Sequence, residues 1–207
     1  MEYLRDPAEI YRRSFAAVRA ATDLSGLAPE LESVAIRLVH ACGEPGIIAQ
    51  LEASPGAVAA GRKALAAGAP ILVDAEMVGA GIIRSRLPAN NKVICTLGEA
   101  GVAEAAKGTT TTRSAAAVDL WRSHLAGSVV TIGNAPTALF RLLELIAEGA
   151  PAPAVILGFP VGFIGAAESK QALAREARGV PFITLQGRRG GSALAAAAVN
   201  ALAGEAP

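Results

Sequence analysis

The sequence predicts an α/β protein built on a parallel sheet whose two faces are covered by helices. Short apolar runs recur along the 207-residue chain, and most are followed by a segment with helical periodicity. These runs are continuously apolar rather than alternating, which is typical of strands that are buried on both faces. A chain that alternates such strands with helices forms a doubly wound parallel sheet.

Composition and length are consistent with one globular domain that spans residues 1–207. Hydrophobic residues make up 52% of the chain, charged residues make up 18%, and the formal net charge is +1. That charge gives no signal for a nucleic-acid or membrane partner. No apolar run approaches the length of a spanning helix, and the N-terminus lacks the apolar segment of a secretory signal. Two cysteines, Cys42 and Cys95, fit a reducing cytoplasm better than a disulfide scaffold.

The first predicted helix begins at Pro7, with Asp6 as its N-terminal cap. We expect it to bury four apolar side chains that share one face at helical spacing: Ile10, Ala17, Val18 and Ala21. Ser14 falls on the same face. A serine there either bonds back to its own helix, which is the more common arrangement, or points at another group.

The second predicted helix covers 29–42 and ends before Gly43. Its apolar stripe is formed by Leu31, Val34, Ala35, Leu38 and Cys42. His40 projects on roughly the opposite side, and Arg37 lies between the two faces one turn earlier. The helix dipole favours protonated His40, whereas Arg37 opposes it, so the sequence alone leaves the direction of the pKa shift open. His40 is therefore either a candidate acid/base or a solvated, C-capping histidine.

The remaining chain alternates strands and helices. A third helix begins at 54–55 and ends at Gly68, and five apolar runs follow as predicted strands: 70–75, 92–97, 128–132, 154–157 and 180–185. The helices predicted after them cover 100–107, 113–122, 138–148 and 168–177, with a last helix ending at Leu202. Five mainly parallel strands fit the flavodoxin-like order 2-1-3-4-5, a three-layer sandwich with right-handed crossovers.

Ligands of such a sheet bind at the carboxyl ends of its strands. The stretch 133–137, which is Gly-Asn-Ala-Pro-Thr, follows the third strand and leads into a helix. Pro136 suits the first helical position, and Gly133 allows the tight turn. Asn134 is then held beside the free N–H groups of a helix, where it can contact a ligand. The alternative is a turn that only caps the strand.

Three further segments could hold a ligand. The loop 158–165 is apolar and almost free of charge, so it is either covered by its own helices or a neighbouring subunit, or it forms the wall of a site for a flat apolar ligand. The segment 187–192 combines glycine N–H groups with two arginines, and Thr112 with Arg113 begins another helix. Both are plausible anion sites. Together they predict a ligand with a broad apolar body and several carboxylates or phosphates.

The residues that other classes of chemistry require are not found in the sequence. Neither phosphate-binding glycine motif is present, and no Trp or Tyr lies in a strand-end loop where a flavin could stack. The chain has two histidines and no serine at a nucleophile elbow, and no cluster of metal ligands is apparent. We therefore expect no cofactor and no metal. His40 and several anion-binding groups remain, which fits a proton-assisted rearrangement.

Seven segments in one order carry a family resemblance: 12–15, 37–40, 77–82, 112–116, 133–141, 160–165 with 168–170, and 187–192. Over nearly its whole length the chain resembles the precorrin-8X methylmutase family, the isomerases of the corrin pathway. The resemblance implies a flavodoxin-like homodimer in which a methyl group moves from C11 to C12 of a tetrapyrrole, formally a [1,5]-sigmatropic shift that yields hydrogenobyrinate.

The resemblance also implies roles for individual residues. The family's histidine, which is proposed to protonate the macrocycle, falls on His40, and its serine and arginine substrate contacts fall on Ser14 and Arg37. Arg113 and Asn134 match residues of its pocket, and Thr137 belongs to the same motif as Asn134. Sites near the subunit interface would account for the bare loop 158–165.

Two other functions remain open at this point. A protein of the same fold could bind or carry a corrinoid or another polyanion without catalysis. A nucleotide-binding flavodoxin relative would be yellow when purified, but it would need the phosphate loop that the sequence lacks.

Overall fold

The computed structural model describes residues 1–204, in which a single sheet of six strands is flanked by helices on both faces. The strands are β1 (Leu51–Ala53), β2 (Ile71–Val73), β3 (Val93–Cys95), β4 (Val129–Ile132), β5 (Val155–Gly158) and β6 (Phe182–Leu185). Their order in the sheet is β1-β6-β5-β4-β2-β3. All neighbours are parallel except β1 and β6, which pair antiparallel with Leu51 opposite Leu185.

Nine α-helices surround the sheet within this part of the chain. They are α1 (Pro7–Ala21), α2 (Glu32–Cys42), α3 (Ala57–Ala66), α4 (Glu76–Gly81), α5 (Val102–Gly108), α6 (Arg113–Asp119), α7 (Pro136–Ala147), α8 (Ala166–Glu176) and α9 (Ser192–Ala203). Short 3₁₀ turns cover Pro29–Leu31, Pro45–Gln50 and Arg84–Arg86. None of the described helices is long and apolar enough to span a bilayer.

The predicted fold class is confirmed. The five predicted strands are β2 to β6, and their order β6-β5-β4-β2-β3 is the flavodoxin-like order read from one edge. The prediction of five strands omitted β1, so the sheet has six strands. β1 is three residues long and only half-buried at the edge of the sheet, so it lacks the apolar run that marks the other strands.

Alternate side chains of each strand enter two separate cores. Ile71 and Val73 of β2 join the core beneath α2, α3, α4 and α9, whereas Leu72 joins the core beneath α6, α7 and α8. This alternation follows from the two-residue period of a strand. Helix α9 lies between the sheet and α2, and its residues 194–202 are all buried, which explains its small side chains.

Helix α1 packs on the outside of α2, and its predicted buried face is wrong. Phe15 is the buried residue of α1, whereas Ile10, Ala17 and Ala21 are exposed and Val18 is half-buried. Because α1 packs mainly against α2 rather than against the sheet, a narrow stripe of larger side chains suffices to hold it.

Candidate functional site

His40 lies in the last turn of α2, and its ring is exposed. Gly43 ends the helix in the left-handed conformation, with φ of 72°. Ser14 of α1 points across to His40, with 3.1 Å between its Oγ and Nδ1 of the histidine. Ser14 therefore does not bond back to its own helix. Nε2 of His40 has no hydrogen-bond partner among residues 1–204 and is the ring nitrogen left for a ligand.

Aromatic stacking fixes the plane of the imidazole. The ring of Phe15 is stacked on His40 at 4.5 Å between centroids, with 26° between the planes. The guanidinium of Arg37 lies over the same phenyl ring, 5.0 Å from its centroid. Phe15 thus contacts both a cation and the histidine.

Arg37 is 4% exposed, so the structure places it in the interior rather than between two faces. Its Nη2 donates a 2.9 Å hydrogen bond to the hydroxyl of Tyr11, and its buried Nε has no partner among the described residues. Arg86 donates to the same hydroxyl at 2.8 Å. We call these six residues the histidine cluster: Tyr11, Ser14, Phe15, Arg37, His40 and Arg86.

The cations of this cluster shift two pKa values. Partial burial lowers the pKa of His40, and Arg37 lowers it further, so neutral imidazole is favoured in the free protein. For Tyr11, burial acts to raise the pKa, but the guanidinium groups of Arg86 and Arg37 outweigh burial and bring the pKa below its usual value.

A second set of predicted residues lies at the carboxyl end of β4. The buried carboxylate of Asp74, directly after β2, accepts hydrogen bonds from the backbone N–H groups of Gly133 (2.8 Å), Asn134 (3.0 Å) and Ala135 (2.7 Å). Burial raises the pKa of Asp74, and the three N–H donors oppose that rise. We call Asp74 with residues 133–135 the aspartate turn.

Space around this turn is closed by neighbouring helices. A Cβ on Gly133 would lie 2.7 Å from Cβ of Ala195 and 2.8 Å from Cγ2 of Val78, so only glycine fits there. The side chain of Asn134 remains exposed. Thr137 bonds through its hydroxyl to that of Thr112 at 2.7 Å, and Thr112 caps α6. Arg113 is exposed and donates to the carbonyl oxygen of Leu97 at 3.2 Å.

An apolar cleft of about 340 Å³ opens just beyond the C-terminus of α2. The predicted apolar loop and the predicted glycine-arginine segment meet here, and the lining consists of Cys42, Glu44, Ile47, Val161, Gly162, Phe163, Arg188, Arg189, Gly190 and Leu194. Arg188 lies over the ring of Phe163 at 5.4 Å, and Arg189 pairs with Glu44 at 2.7 Å.

The six predicted site residues therefore fall into two groups. Ser14, Arg37 and His40 come together in the histidine cluster, and Arg113, Asn134 and Thr137 lie around the turn after β4. None of the six lines the cleft, although His40 is two residues from Cys42 on its wall.

Sequence analysis gave no individual site role to Tyr11, Phe15, Asp74 or Arg86, although Asp74 and Arg86 lie at and after the end of the first predicted strand, at the sheet edge where ligands bind. A signal also existed for Tyr11 and Phe15, which are four residues apart on α1 and lie on either side of Ser14 in the sequence.

Comparison with known proteins assigns the chain to a family. The sequence pattern of the family described as Precorrin-8X methylmutase matches residues 9–205. A precorrin-8X methylmutase of Pseudomonas aeruginosa is 62% identical and covers 99% of each chain. A precorrin-8X methylmutase of Sinorhizobium sp is 57% identical over 98% of this chain and 96% of the relative. A cobalt-precorrin-8 methylmutase of Methanothermobacter thermautotrophicus is 38% identical, covering 94% of this chain and 91% of the relative.

A solved structure agrees with the sequence relatives. The precorrin-8X methylmutase of Thermus thermophilus superposes with a TM-score of 0.86 at 41% identity, covering 95% of this chain and 94% of the other. Similarity therefore extends through both groups of site residues and the cleft.

Proposed function

The chain belongs to the precorrin-8X methylmutase family, and we propose that it moves a methyl group from C11 to C12 of precorrin-8X with His40 as proton donor. Its assignment as an isomerase of cobalamin biosynthesis follows from the family. The direction of the shift and the role of His40 are the proposal. The C11–methyl bond breaks as the C12–methyl bond forms, so the rearrangement needs no second substrate.

The observation that carries this proposal is the setting of His40. Its Nδ1 is engaged by Ser14, its ring is stacked on Phe15, and its Nε2 has no partner among the described residues. A protonated imidazole held in this way donates Nδ1–H to Ser14 and directs Nε2–H outward, toward a bound macrocycle. Orientation of one donor against one reacting centre supplies much of the catalysis that an intramolecular step requires.

The cations beside His40 fit the same reaction. Burial lowers the pKa of His40 in the free protein, and Arg37 lowers it further. A substrate carboxylate that pairs with Arg37 would offset the contribution of Arg37, because an opposite charge cancels the effect of the cation. Substrate binding would relieve that part of the shift, which favours the acid form of His40. Ser14, Arg37, Arg113, Asn134 and Thr137 are the proposed substrate contacts.

We propose the metal-free tetrapyrrole as substrate. The two relatives above that are named for precorrin-8X are 62% and 57% identical, whereas the relative named for cobalt-precorrin-8 is 38% identical. Incubating the purified protein with each form of the substrate decides between them, and faster conversion of cobalt-precorrin-8 would reverse this choice.

The test of the central role is His40→Ala, with His124→Ala as the matched control. His40 is exposed, so the variant should fold normally, while conversion to hydrogenobyrinate, followed by visible absorption, should fall by about 10²- to 10⁴-fold. His124 is also exposed and is the only other histidine, and its replacement should leave turnover unchanged. Full turnover by His40→Ala would rule out the proposed donor.

The same measurement distinguishes an isomerase from a carrier protein that binds the substrate without converting it. A carrier of the same fold would perturb the spectrum of precorrin-8X on binding but leave it unconverted, in the wild type as well as in His40→Ala. Conversion by the wild type alone supports the isomerase.

We also propose that the protein is a homodimer with its site near the interface. The loop after β5 exposes large apolar side chains: Phe163 is 84% exposed and Ile164 is 90% exposed. A second copy would bury them. Sedimentation equilibrium should give twice the chain mass for the wild type and a lower mass for Phe163→Asp, and a monomeric wild type would contradict the proposal.

The reducing cytoplasm is the proposed compartment. Cys42 and Cys95 are both free thiols, which is consistent with this assignment. Cell fractionation followed by immunoblotting tests it.

A further inference from the structure

One phenol oxygen joins three segments of the chain. Tyr11 projects from α1, Arg37 from α2 and Arg86 from the 3₁₀ turn that follows α4. Both guanidinium groups donate to the Tyr11 hydroxyl, at 2.9 and 2.8 Å. Arg86 also lies over the Tyr11 ring, 5.2 Å from its centroid. Two charged donors thus converge on one oxygen.

These two cations lack an anionic partner within the described part of the chain. Neither Arg37 nor Arg86 forms a salt bridge with a carboxylate of residues 1–204, and Nε of Arg37 is buried without a partner. Arg141 shows the usual arrangement in the same chain, because it bonds to Asp119, Glu144 and Glu148. A buried guanidinium without a counter-ion is costly and is typical of a site that receives an anion.

We propose that Tyr11 is a positioning residue that holds Arg37 and Arg86 together as a paired receptor for carboxylates of the substrate, beside His40. This inference rests on the proposed function for the identity of the substrate. It adds Arg86 to the substrate contacts and gives the Tyr11 hydroxyl a role that is not structural support alone. Without the hydroxyl, the like charges of the two guanidinium groups would drive them apart.

The aromatic stack couples this pair to the histidine. Tyr11 contacts Phe15 at 4.5 Å between ring centroids, and Phe15 contacts both Arg37 and His40. The charged or titratable groups that face His40 are Arg37 on its own helix and Tyr11 on α1, with Arg86 bonded to Tyr11. If Arg37 is released from Tyr11, both the affinity for the substrate and the protonation of His40 should therefore change.

The test is Tyr11→Phe, with Tyr3→Phe as the matched control, since these are the only two tyrosines. The variant keeps the ring and removes one oxygen. With precorrin-8X as substrate we expect the KM to rise about tenfold, the effect of losing one charge-assisted contact, while kcat changes less than about threefold. Tyr3→Phe should match the wild type in both.

Two spectroscopic readouts are independent of turnover. The lowered pKa of Tyr11 predicts a component of phenolate absorption at lower pH, which Tyr11→Phe should remove and Tyr3→Phe should retain. The NMR titration of His40 should show a changed pKa in Tyr11→Phe, because Arg37, which contributes to lowering that pKa, is no longer held by the Tyr11 hydroxyl.

Failure of the positioning proposal and failure of the methylmutase proposal give different results. Unchanged KM and unchanged His40 pKa in a folded Tyr11→Phe would overturn the positioning role, whatever the wild type does. If the wild type binds precorrin-8X without converting it, the methylmutase proposal fails. In that case the dissociation constant replaces KM, and a tenfold weakening in Tyr11→Phe still supports the receptor.

Discussion

Asp74 and Arg37 are both charged side chains in the interior, exposed by 3% and 4%, but their surroundings differ. Asp74 accepts three backbone N–H groups of the turn after β4. Arg37 has one phenol as its polar partner, and its Nε has none in the described chain. The fold supplies hydrogen-bond donors to the Asp74 carboxylate, whereas it leaves the Arg37 guanidinium partly unpaired in the described chain.

The difference indicates which region serves the fold and which serves the ligand. A buried charge with a full set of hydrogen bonds specifies local structure, and nothing more is needed to explain it. A buried charge whose hydrogen-bonding groups are partly unpaired carries an energetic cost. A ligand that pairs with those groups can reduce this cost. We therefore expect the aspartate turn to be scaffolding that presents Asn134, and the histidine cluster to receive charged groups of the substrate.

The largest effect on stability is expected for Asp74→Ala. The change leaves three backbone N–H groups without their acceptor, so the free energy of unfolding should fall by about 3 kcal/mol or more. Urea unfolding measures this loss. Asp23→Ala is the control, because Asp23 is exposed and bonds only to Ser25, and its replacement should cost less than about 0.5 kcal/mol.

Asp74→Asn refines the same comparison. Its amide keeps one oxygen as an acceptor, so its loss of stability should lie between the control and Asp74→Ala. If Asp74→Ala unfolds within about 1 kcal/mol of the wild type, the turn does not depend on this carboxylate, and the contrast with Arg37 fails.

The sheet was predictable because each central strand is marked by its own apolar run. β4 and β5 are buried along their whole length, so their residues carry the signal without any knowledge of partners. β1 gave no such signal, because its three residues are half-exposed and its identity depends on pairing with β6. The buried face of α1 was wrongly predicted for a related reason: it depends on contacts with α2 and with Arg86 that no local pattern of α1 records.

The site was less predictable than the sheet. His40, Ser14 and Arg37 followed from family motifs, and the structure does bring them together. The bridge from Tyr11 to Arg86 spans 75 positions of sequence, and no local pattern relates the two residues. Whether a buried arginine has a counter-ion depends likewise on which groups the folded chain brings together, so no local sequence pattern predicts it.

The smallest effect is expected for Ser14→Ala, which tests how firmly the cluster holds its histidine. Ser14 contacts Nδ1 of His40 at 3.1 Å and is half-buried, so the free energy of unfolding should change by less than about 0.5 kcal/mol. Phe15 still stacks on the imidazole in this variant, so orientation is weakened rather than lost. Turnover should fall by about three- to tenfold, well short of His40→Ala.

Ser33→Ala is the matched control for this last change, since Ser33 accepts a hydrogen bond from Arg62 on the neighbouring helix and lies outside the histidine cluster. It should leave turnover unchanged. A loss in Ser14→Ala as large as in His40→Ala would mean that the serine takes part in proton transfer itself. No loss at all would mean that stacking on Phe15 is sufficient to orient the ring.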